Sequence, residues 1–302
     1  MAIEKVIVFG ATGMQGRQQP RELLKHGYKV RVVSRKLEQL DGPDFEGTEK
    51  MVADYDDPAS IDAALQGVDA IFYQAQSMGD VDRCNRQTET VRKAAEKAGV
   101  QLIIVNSSMW APDEPCGQYT FDGVLSMEES MRAGPIPVIV FRPTLFMSNL
   151  HGEWVKDNLR KGLYRYCHKP DLASDWICLE DVAQFMVAAL KKPEVVGRKI
   201  GIGGPDRLTT LEVVDLVGKA MGKELRFEHV TPRQFGEEFW DLWGSKMGIS
   251  HEAFVDGFDS FYTMNNEDPR KPFQADVKAA LELFPEVKLT TMRDWAARQD
   301  WN

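Results

Sequence analysis

Three glycines, Gly10, Gly13 and Gly16, stand three residues apart directly after the apolar run Val6-Ile7-Val8-Phe9. Glycines at this spacing between a strand and a helix have separate jobs. One permits a tight turn, one lets the backbone approach a pyrophosphate, and one allows the helix to pack against the strand. The helix N-terminus then offers free N–H groups and the positive end of its dipole to phosphates. The second apolar run ends in Val33-Ser34-Arg35-Lys36. A unit selective for NAD carries Asp or Glu there for the ribose 2′-hydroxyl. A hydroxyl and two cations suit a 2′-phosphate instead, and Arg35 can grip it in a bidentate fashion. The expected cofactor is NADP(H), with Ser34, Arg35 and Lys36 around its 2′-phosphate.

Pro20 disturbs this pattern. With a helix starting near Met14, Pro20 falls past the first turn, lacks an N–H and crowds the carbonyl of Gly16. Such a proline costs on the order of 3 kcal/mol and kinks the helix. Weakened but retained nucleotide binding is expected, with Arg17 able to reach the phosphates from the disturbed turn.

The elements that must position these residues alternate regularly. Strands are expected over Lys5–Phe9, Tyr28–Val33, Glu49–Val52, Ala70–Tyr73, Leu102–Val105, Val138–Phe141 and Ile200–Ile202. Between them lie helical patterns around residues 21–25, 61–65, 87–98, 125–132 and from Leu179 onward. Strands apolar throughout are covered on both faces, so the alternation implies a doubly wound parallel α/β sheet of Rossmann type. After residue 205 the composition shifts. Thr209 to Glu212 has capping-box form, Pro232 and Ser250 start further helices, and residues 235–262 are dense in Phe, Trp and Met. The expected organisation is a nucleotide-binding core over residues 1–150, completed by segments within about 175–205. A smaller, mostly helical lobe over 151–302 interleaves with it.

Composition narrows the partners. A net charge of −9 argues against a nucleic-acid surface, which needs clustered cations. Cys84, Cys116, Cys167 and Cys178 show no metal spacing, and no metal site is expected. No apolar run approaches the roughly 20 residues of a membrane span. The first strand leaves no room for a signal peptide, so a cytoplasmic location is expected.

GATGMQG, followed by VRVVSRK, VADYDD and FRPTLFMSN, resembles the NmrA-like group of atypical short-chain dehydrogenases/reductases. The resemblance runs on through GGPDRLTTLEV to the closing TTMRDW. It implies a core that binds NADP(H) and a C-terminal substrate lobe. Carried over residue by residue, Gly10, Thr12, Gly13, Met14, Gln15 and Gly16 would line the pyrophosphate, and Asp54 and Tyr55 would flank the adenine. Gln74, Ala75 and Gln76 would meet the nicotinamide ribose. Asn106, Ser107 and Ser108 end the fifth strand, and Pro143 to Phe146 follow the sixth. Asn149 and the aromatic-rich lobe would face substrate, with Trp110, Trp154 and Trp176 offered as pocket walls.

Reductases of this superfamily use Tyr and Lys four residues apart, the Lys lowering the tyrosine pKa so that the phenol acts as general acid. Here Tyr119 is followed four residues on by Gly123, and Thr120 by Val124, so neither register keeps the pair. Ser108 could polarise a carbonyl, Tyr119 could donate a proton without a lysine to tune it, and His151 could act as acid or base. Tyr164, Tyr166 and His168 read as the entrance to the smaller lobe. Three functions follow: an oxidoreductase acting on a small, fairly apolar carbonyl or conjugated substrate; a redox-inactive NADP(H) sensor that signals to a protein partner, as NmrA-like regulators do; or an isomerase or lyase on the same fold. A homodimer is compatible with the helix-rich surface.

Overall fold

The computed structural model describes residues 3–74 and 80–301. Its strands are β1 (Lys5–Val8), β2 (Lys29–Ser34), β3 (Glu49–Val52), β4 (Ala70–Gln74), β5 (Leu102–Asn106), β6 (Val138–Pro143), β7 (Leu145–Phe146), β8 (Leu163–Tyr166), β9 (Ser174–Ile177), β10 (Lys199–Ile202), β11 (Arg207–Leu208) and β12 (Arg226–His229). Its α-helices are α1 (Gln18–Lys25), α2 (Pro58–Leu65), α3 (Val81–Ala98), α4 (Tyr119–Arg132), α5 (Glu153–Arg160), α6 (Leu179–Ala189), α7 (Thr210–Met221), α8 (Pro232–Trp240), α9 (His251–Glu267), α10 (Val277–Leu283) and α11 (Met292–Ala297).

Seven strands form one parallel sheet in the order β3-β2-β1-β4-β5-β6-β10. This is a Rossmann-type doubly wound sheet, whose order reverses between β1 and β4. Side-chain alternation explains its two cores. Val6 and Val8 point to the face covered by α1 and α6, whereas Ile7 and Phe9 point to the face covered by α2 and α3. All four are essentially inaccessible to water. Burying each such side chain contributes roughly 1.5–3 kcal/mol.

The remaining strands build the second lobe around a third core of Trp, Phe, Tyr and Val. β7, β9 and β11 form one small sheet, and β8 pairs with β12 in parallel. Helices α7 and α8 open with reciprocal capping boxes, Thr209 with Glu212 and Thr231 with Gln234. The interleaving of lobe and core reaches further along the chain than residues 175–205. Helix α10 returns to the main sheet, where Ala280, Phe284 and Val287 join the same core as Ile200. Among the described residues no helix is long and apolar enough to cross a membrane.

Two boundaries differ from those expected, each through a cap. Helix α3 starts at Val81 rather than Gln87, because the Asp80 carboxylate accepts the N–H of Arg83 at 2.9 Å. Helix α4 starts at Tyr119 rather than Leu125, because the Gln118 side chain accepts the N–H of Phe121 at 2.9 Å.

Pro20 does not kink a helix. Residues 11–17 form turns, and α1 begins only at Gln18. Pro20 is thereby the third residue of the helix, within the first turn, where a backbone N–H has no intrahelical acceptor to lose. Arg17, expected near the phosphates, places its guanidinium 3.6 Å from Asp44.

Tyr164, Tyr166 and His168 are buried in the second lobe's core, not at an entrance. His168 is 1% exposed and enclosed by the rings of Tyr166, Phe273, Tyr262 and Trp176. Burial, with a smaller contribution from His229, pulls its pKa down from 6.5 to about 3. An unfolded chain takes up this proton near pH 6.5, whereas the folded chain refuses it until about pH 3. The stability due to neutral His168 is therefore complete above pH 6.5 and is lost as pH falls toward 3. Urea midpoints measured between pH 7 and pH 4 should fall more steeply for the wild type than for His168→Phe, by up to about 1.4 kcal/mol per pH unit. Parallel profiles would place the imidazole in a solvated setting.

Candidate functional site

The glycine loop crosses the carboxyl end of β1 at the point where strand order reverses. Gly10 has φ +75°, a left-handed conformation, and a Cβ there would lie 2.9 Å from Cβ of Gln74 at the end of β4. At Gly16 a Cβ would lie 2.2 Å from the carbonyl oxygen of Gly10. The loop is thus folded tightly on itself and against β4. Within it the N–H of Gly13 donates to Gly10 and that of Arg17 to Gly13. The N–H groups of Thr12, Met14, Gln15 and Gly16 have no acceptor among the described residues. Such a run of unsatisfied donors ahead of a helix is an anion cradle.

From this loop a groove of about 470 Å³ runs across the ends of β1, β2 and β3. Phe9, Gly10, Thr12, Ser34, Arg35, Asp54 and Tyr55 line it, so the residues expected for the adenosine half of a dinucleotide converge. Arg35 and Lys36 are exposed, and no carboxylate pairs with either among the described residues. The Ser34 hydroxyl is buried and donates to Gln39 Oε1 at 2.6 Å. Tyr55 stacks on Phe9 with centroids 5.6 Å apart, and burial holds its phenol well above the usual tyrosine range.

Sequence reasoning missed Gln39, Asp80, Arg83, Cys84, Gln87 and Met247 in this groove. Four of these come from the first turns of α3, and the Asp80 cap was the signal that would have placed them. Arg83 pairs with Asp56 at 2.5 Å, and Gln87 donates to the same carboxylate at 2.8 Å. Together they hold the Asp56 carboxyl below its ordinary range. Met247 comes from the second lobe, which no local pattern connects to the nucleotide loop.

At the switch point four polar side chains meet. Gln74 Nε2 donates to Gln15 Oε1 at 2.9 Å and to Ser108 Oγ at 2.6 Å. Asn106 Nδ2 donates to Gln74 Oε1 at 2.9 Å and to Gln15 Oε1 at 3.3 Å. Ser108 is 6% exposed and has φ +70°, a strained conformation for a residue with a Cβ. Strain of this kind, about 1–3 kcal/mol, concentrates at functional sites.

The other candidates are dispersed. Ser107 is buried, with its hydroxyl 2.8 Å from the carbonyl of Met109 and 3.0 Å from that of Phe141. Pro143 and Phe146 are buried at the end of β6 and in β7. Ala75 and Gln76 lie outside the described residues. Tyr119 is 63% exposed at the start of α4, its hydroxyl accepting the N–H of Val81 at 3.4 Å. Gly123, four residues on, packs so closely that a Cβ would lie 2.8 Å from the Val81 side chain, which leaves no room for a lysine. The His151 ring bonds the carbonyl of Asp300 at 2.5 Å and meets Trp301 edge-on. Neither Tyr119 nor His151 bonds to Ser108 among the described residues. Trp154 and Trp176 pack within the second lobe, Trp176 only 3% exposed. Trp110 meets Phe121 edge-on and carries the Arg270 guanidinium 5.2 Å above its ring. Asn149 is partly buried in the short turn after β7.

A parallel sheet with a phosphate-binding loop at its switch point and a second lobe over its carboxyl edge defines a Rossmann-type nucleotide-binding protein. Residues 3–296 match the NmrA-like family, and the chain belongs to it. A (4-alkanoyl-5-oxo-2,5-dihydrofuran-3-yl)methyl phosphate reductase of Streptomyces griseus is 32% identical over 226 residues, 74% of this chain and 77% of the relative. An NAD(P)H azoreductase of Xenophilus azovorans is 25% identical over 87% of this chain and 88% of its own. An Escherichia coli NADPH-dependent quinone oxidoreductase, solved with NADPH, superposes with a TM-score of 0.77 at 20% identity, covering 97% of this chain and 98% of its own.

The tight loop makes a direct prediction. Gly16→Ala forces a methyl group against the Gly10 carbonyl, a backbone atom that cannot yield without moving the loop. Overpacking of this sort costs about 1–3 kcal/mol. Calorimetry should find NADPH binding at least tenfold weaker, with a lowered Tm. Unchanged affinity would mean that the loop does not hold the nucleotide.

Proposed function

We propose that this protein is an NADP(H)-dependent reductase that delivers a hydride to a small, fairly apolar, conjugated acceptor without a Tyr–Lys pair. The observation that carries this reading is the row of loop N–H groups without an acceptor among the described residues, continuous with a groove lined by Arg35; Arg35 and its exposed neighbour Lys36 have no carboxylate partner among the described residues. This set fits NADP(H): donors for the pyrophosphate, Tyr55 and Asp54 beside the adenine, and two positive charges for the 2′-phosphate. The named relatives act on a conjugated lactone, an azo compound and a quinone, acceptors that share a polarised π-system.

A bound nicotinamide supplies a hydride, that is two electrons and one proton. The chain holds the ring and the acceptor in register, which can account for much of the rate. Ser108, at the end of β5 beside Gln74, would stabilise negative charge developing on the acceptor heteroatom. The anion left after hydride transfer takes its proton from water. No phenol–lysine couple is required, because a conjugated acceptor delocalises the charge until that proton arrives.

A second reading, a nucleotide sensor acting through a protein partner, draws on one feature. Leu242, Trp243 and Ile249 are exposed on the same segment as Met247, which lines the groove. Occupancy of the groove can in this way reach an apolar surface.

Turnover separates the two readings. With 1,4-benzoquinone as acceptor, purified protein should oxidise NADPH, and Ser108→Ala should lower kcat about 100-fold. Binding of NADPH with no oxidation, across quinone and azo acceptors, would favour the sensor. By calorimetry, Arg35→Ala should weaken NADPH about 10–100-fold and leave NADH within threefold, as expected for a charged hydrogen bond worth about 1.5–3 kcal/mol. An equal loss for both nucleotides would move Arg35 away from the 2′-phosphate.

A further inference from the structure

The groove at the carboxyl edge has a contributor from outside the nucleotide-binding core. Met247 lines it together with Arg35, Asp54 and Tyr55, yet it belongs to the link between α8 and α9 of the second lobe. The backbone of that link fixes its position. Gly244 is buried where a Cβ would meet the ring of Trp240 and lie 2.8 Å from that of Phe254, so the link is wedged into the lobe's aromatic core. A tight turn follows, in which the N–H of Met247 donates to the carbonyl of Gly244 at 3.0 Å. Gly248, at φ +71°, then reverses the chain in a left-handed conformation that a residue with a Cβ rarely adopts. Two residues on, the Ser250 hydroxyl caps α9 by accepting the N–H of Ala253 at 3.2 Å. Met247 thus stands on a short turn anchored at both ends.

We propose that Met247 clasps the adenosine half of the bound dinucleotide from the second lobe, so that both lobes grip the nucleotide at its adenine end. The inference rests on the nucleotide-binding part of the reductase reading and deepens it. Gln74, Asn106 and Ser108, at the ends of β4 and β5, are not among the residues that line this groove, so the contact concerns the adenosine half and not the reacting ring. Phe9, Val33, Ala53 and Ile61 give the groove apolar surface, while Arg35 and Asp54 supply charge. A flat heteroaromatic base carried on a phosphorylated ribose matches that mixture, with apolar ring faces and polar groups at the edges. An unbranched thioether adapts its shape to such a ring and gains a sulfur–aromatic contact.

Arg35 and Met247 then have separable effects. Arg35 meets the 2′-phosphate and distinguishes NADPH from NADH. Met247 meets the part that the two nucleotides share and does not distinguish them.

Methionine oxidation reads the contact in the unaltered protein. Met247 is partly exposed, and dilute hydrogen peroxide converts accessible methionine to the sulfoxide. Saturating adenosine 2′,5′-bisphosphate, which carries no nicotinamide, should slow oxidation of Met247 by about fivefold or more, followed by peptide mass spectrometry. Nicotinamide mononucleotide should leave the rate unchanged. Met221, partly exposed on α7 and outside the groove, is the control and should oxidise at one rate throughout.

Calorimetry gives an independent readout. Met247→Ala should weaken NADPH, NADH and adenosine 2′,5′-bisphosphate by one common factor of about three- to tenfold, as loss of a sulfur–ring contact implies. Met247→Leu should recover part of that loss. A loss confined to NADPH would put Met247 at the 2′-phosphate and overturn the clasp. Wild-type protein that binds adenosine 2′,5′-bisphosphate while Met247 oxidises at its free rate would also overturn it, and would leave the nucleotide reading intact. Protein that binds none of these ligands would overturn both. Protection of Met247 in a protein that binds NADPH but reduces no acceptor would overturn the reductase reading and leave the clasp standing.

Discussion

The contact between the glycine loop and the end of β4 sets the geometry of everything at the carboxyl edge. Gly10 sits so near Gln74 that any side chain would separate the two strands at the switch point. Gly16 in turn lies against the Gly10 carbonyl, which pulls the start of α1 down onto β1. Because these approaches are made by backbone atoms, they cannot be relaxed by a rotamer change. They bring Gln15 from the loop within reach of Gln74 and Asn106 from two neighbouring strands. They also leave the N–H groups of Thr12, Met14, Gln15 and Gly16 without an acceptor among the described residues. The loop's open N–H groups and the polar junction beside Ser108 are two results of one close packing.

The late start of α1 belongs to the same arrangement. Turns over residues 11–17 leave more loop N–H groups unsatisfied than a helix starting at Met14 would. Pro20 fits the first turn of the shortened helix and helps to fix its start, since its own ring is preset to helical φ. A residue that reads as a defect in a long helix is compatible with a loop extended for anion binding.

The second lobe is held together by rings more than by strands. Trp154, Tyr166, Phe235, Phe239 and Tyr262 contact one another with centroids 4.4 to 6.1 Å apart. Such a core buries a large area per residue and adds directional contacts between rings. It carries Met247 to the rim of the nucleotide groove, while α10 returns to the main sheet. The lobe is therefore tied to the core at both the groove and the far edge of the sheet. The polar groups that matter at Ser108 are uncharged amides, whereas ionisable pairs such as Arg83 with Asp56 stay at the groove's wall.

Sequence alone determined the order of strands and helices, the glycine loop and the cations after β2, because each depends on residues close together in the chain. A short, continuously apolar run marks a buried strand whatever it pairs with, and a glycine triplet after it marks a turn. Helix starts were equally legible at Thr209, Pro232 and Ser250, though the caps at Asp80 and Gln118 were passed over and two helices were shortened. The tertiary structure decided what local patterns cannot encode. It joined Gln15, Gln74, Asn106 and Ser108, of which Gln15 and Asn106 bond across 91 positions of the chain. It kept Tyr119 and His151 from bonding with that group, buried Trp176 and His168 in the second lobe, and packed the partly buried Trp154 against the same core. The reason is physical: a side chain's type limits the bonds it can make, but its partner is chosen by the crossing of strands and the packing of helices.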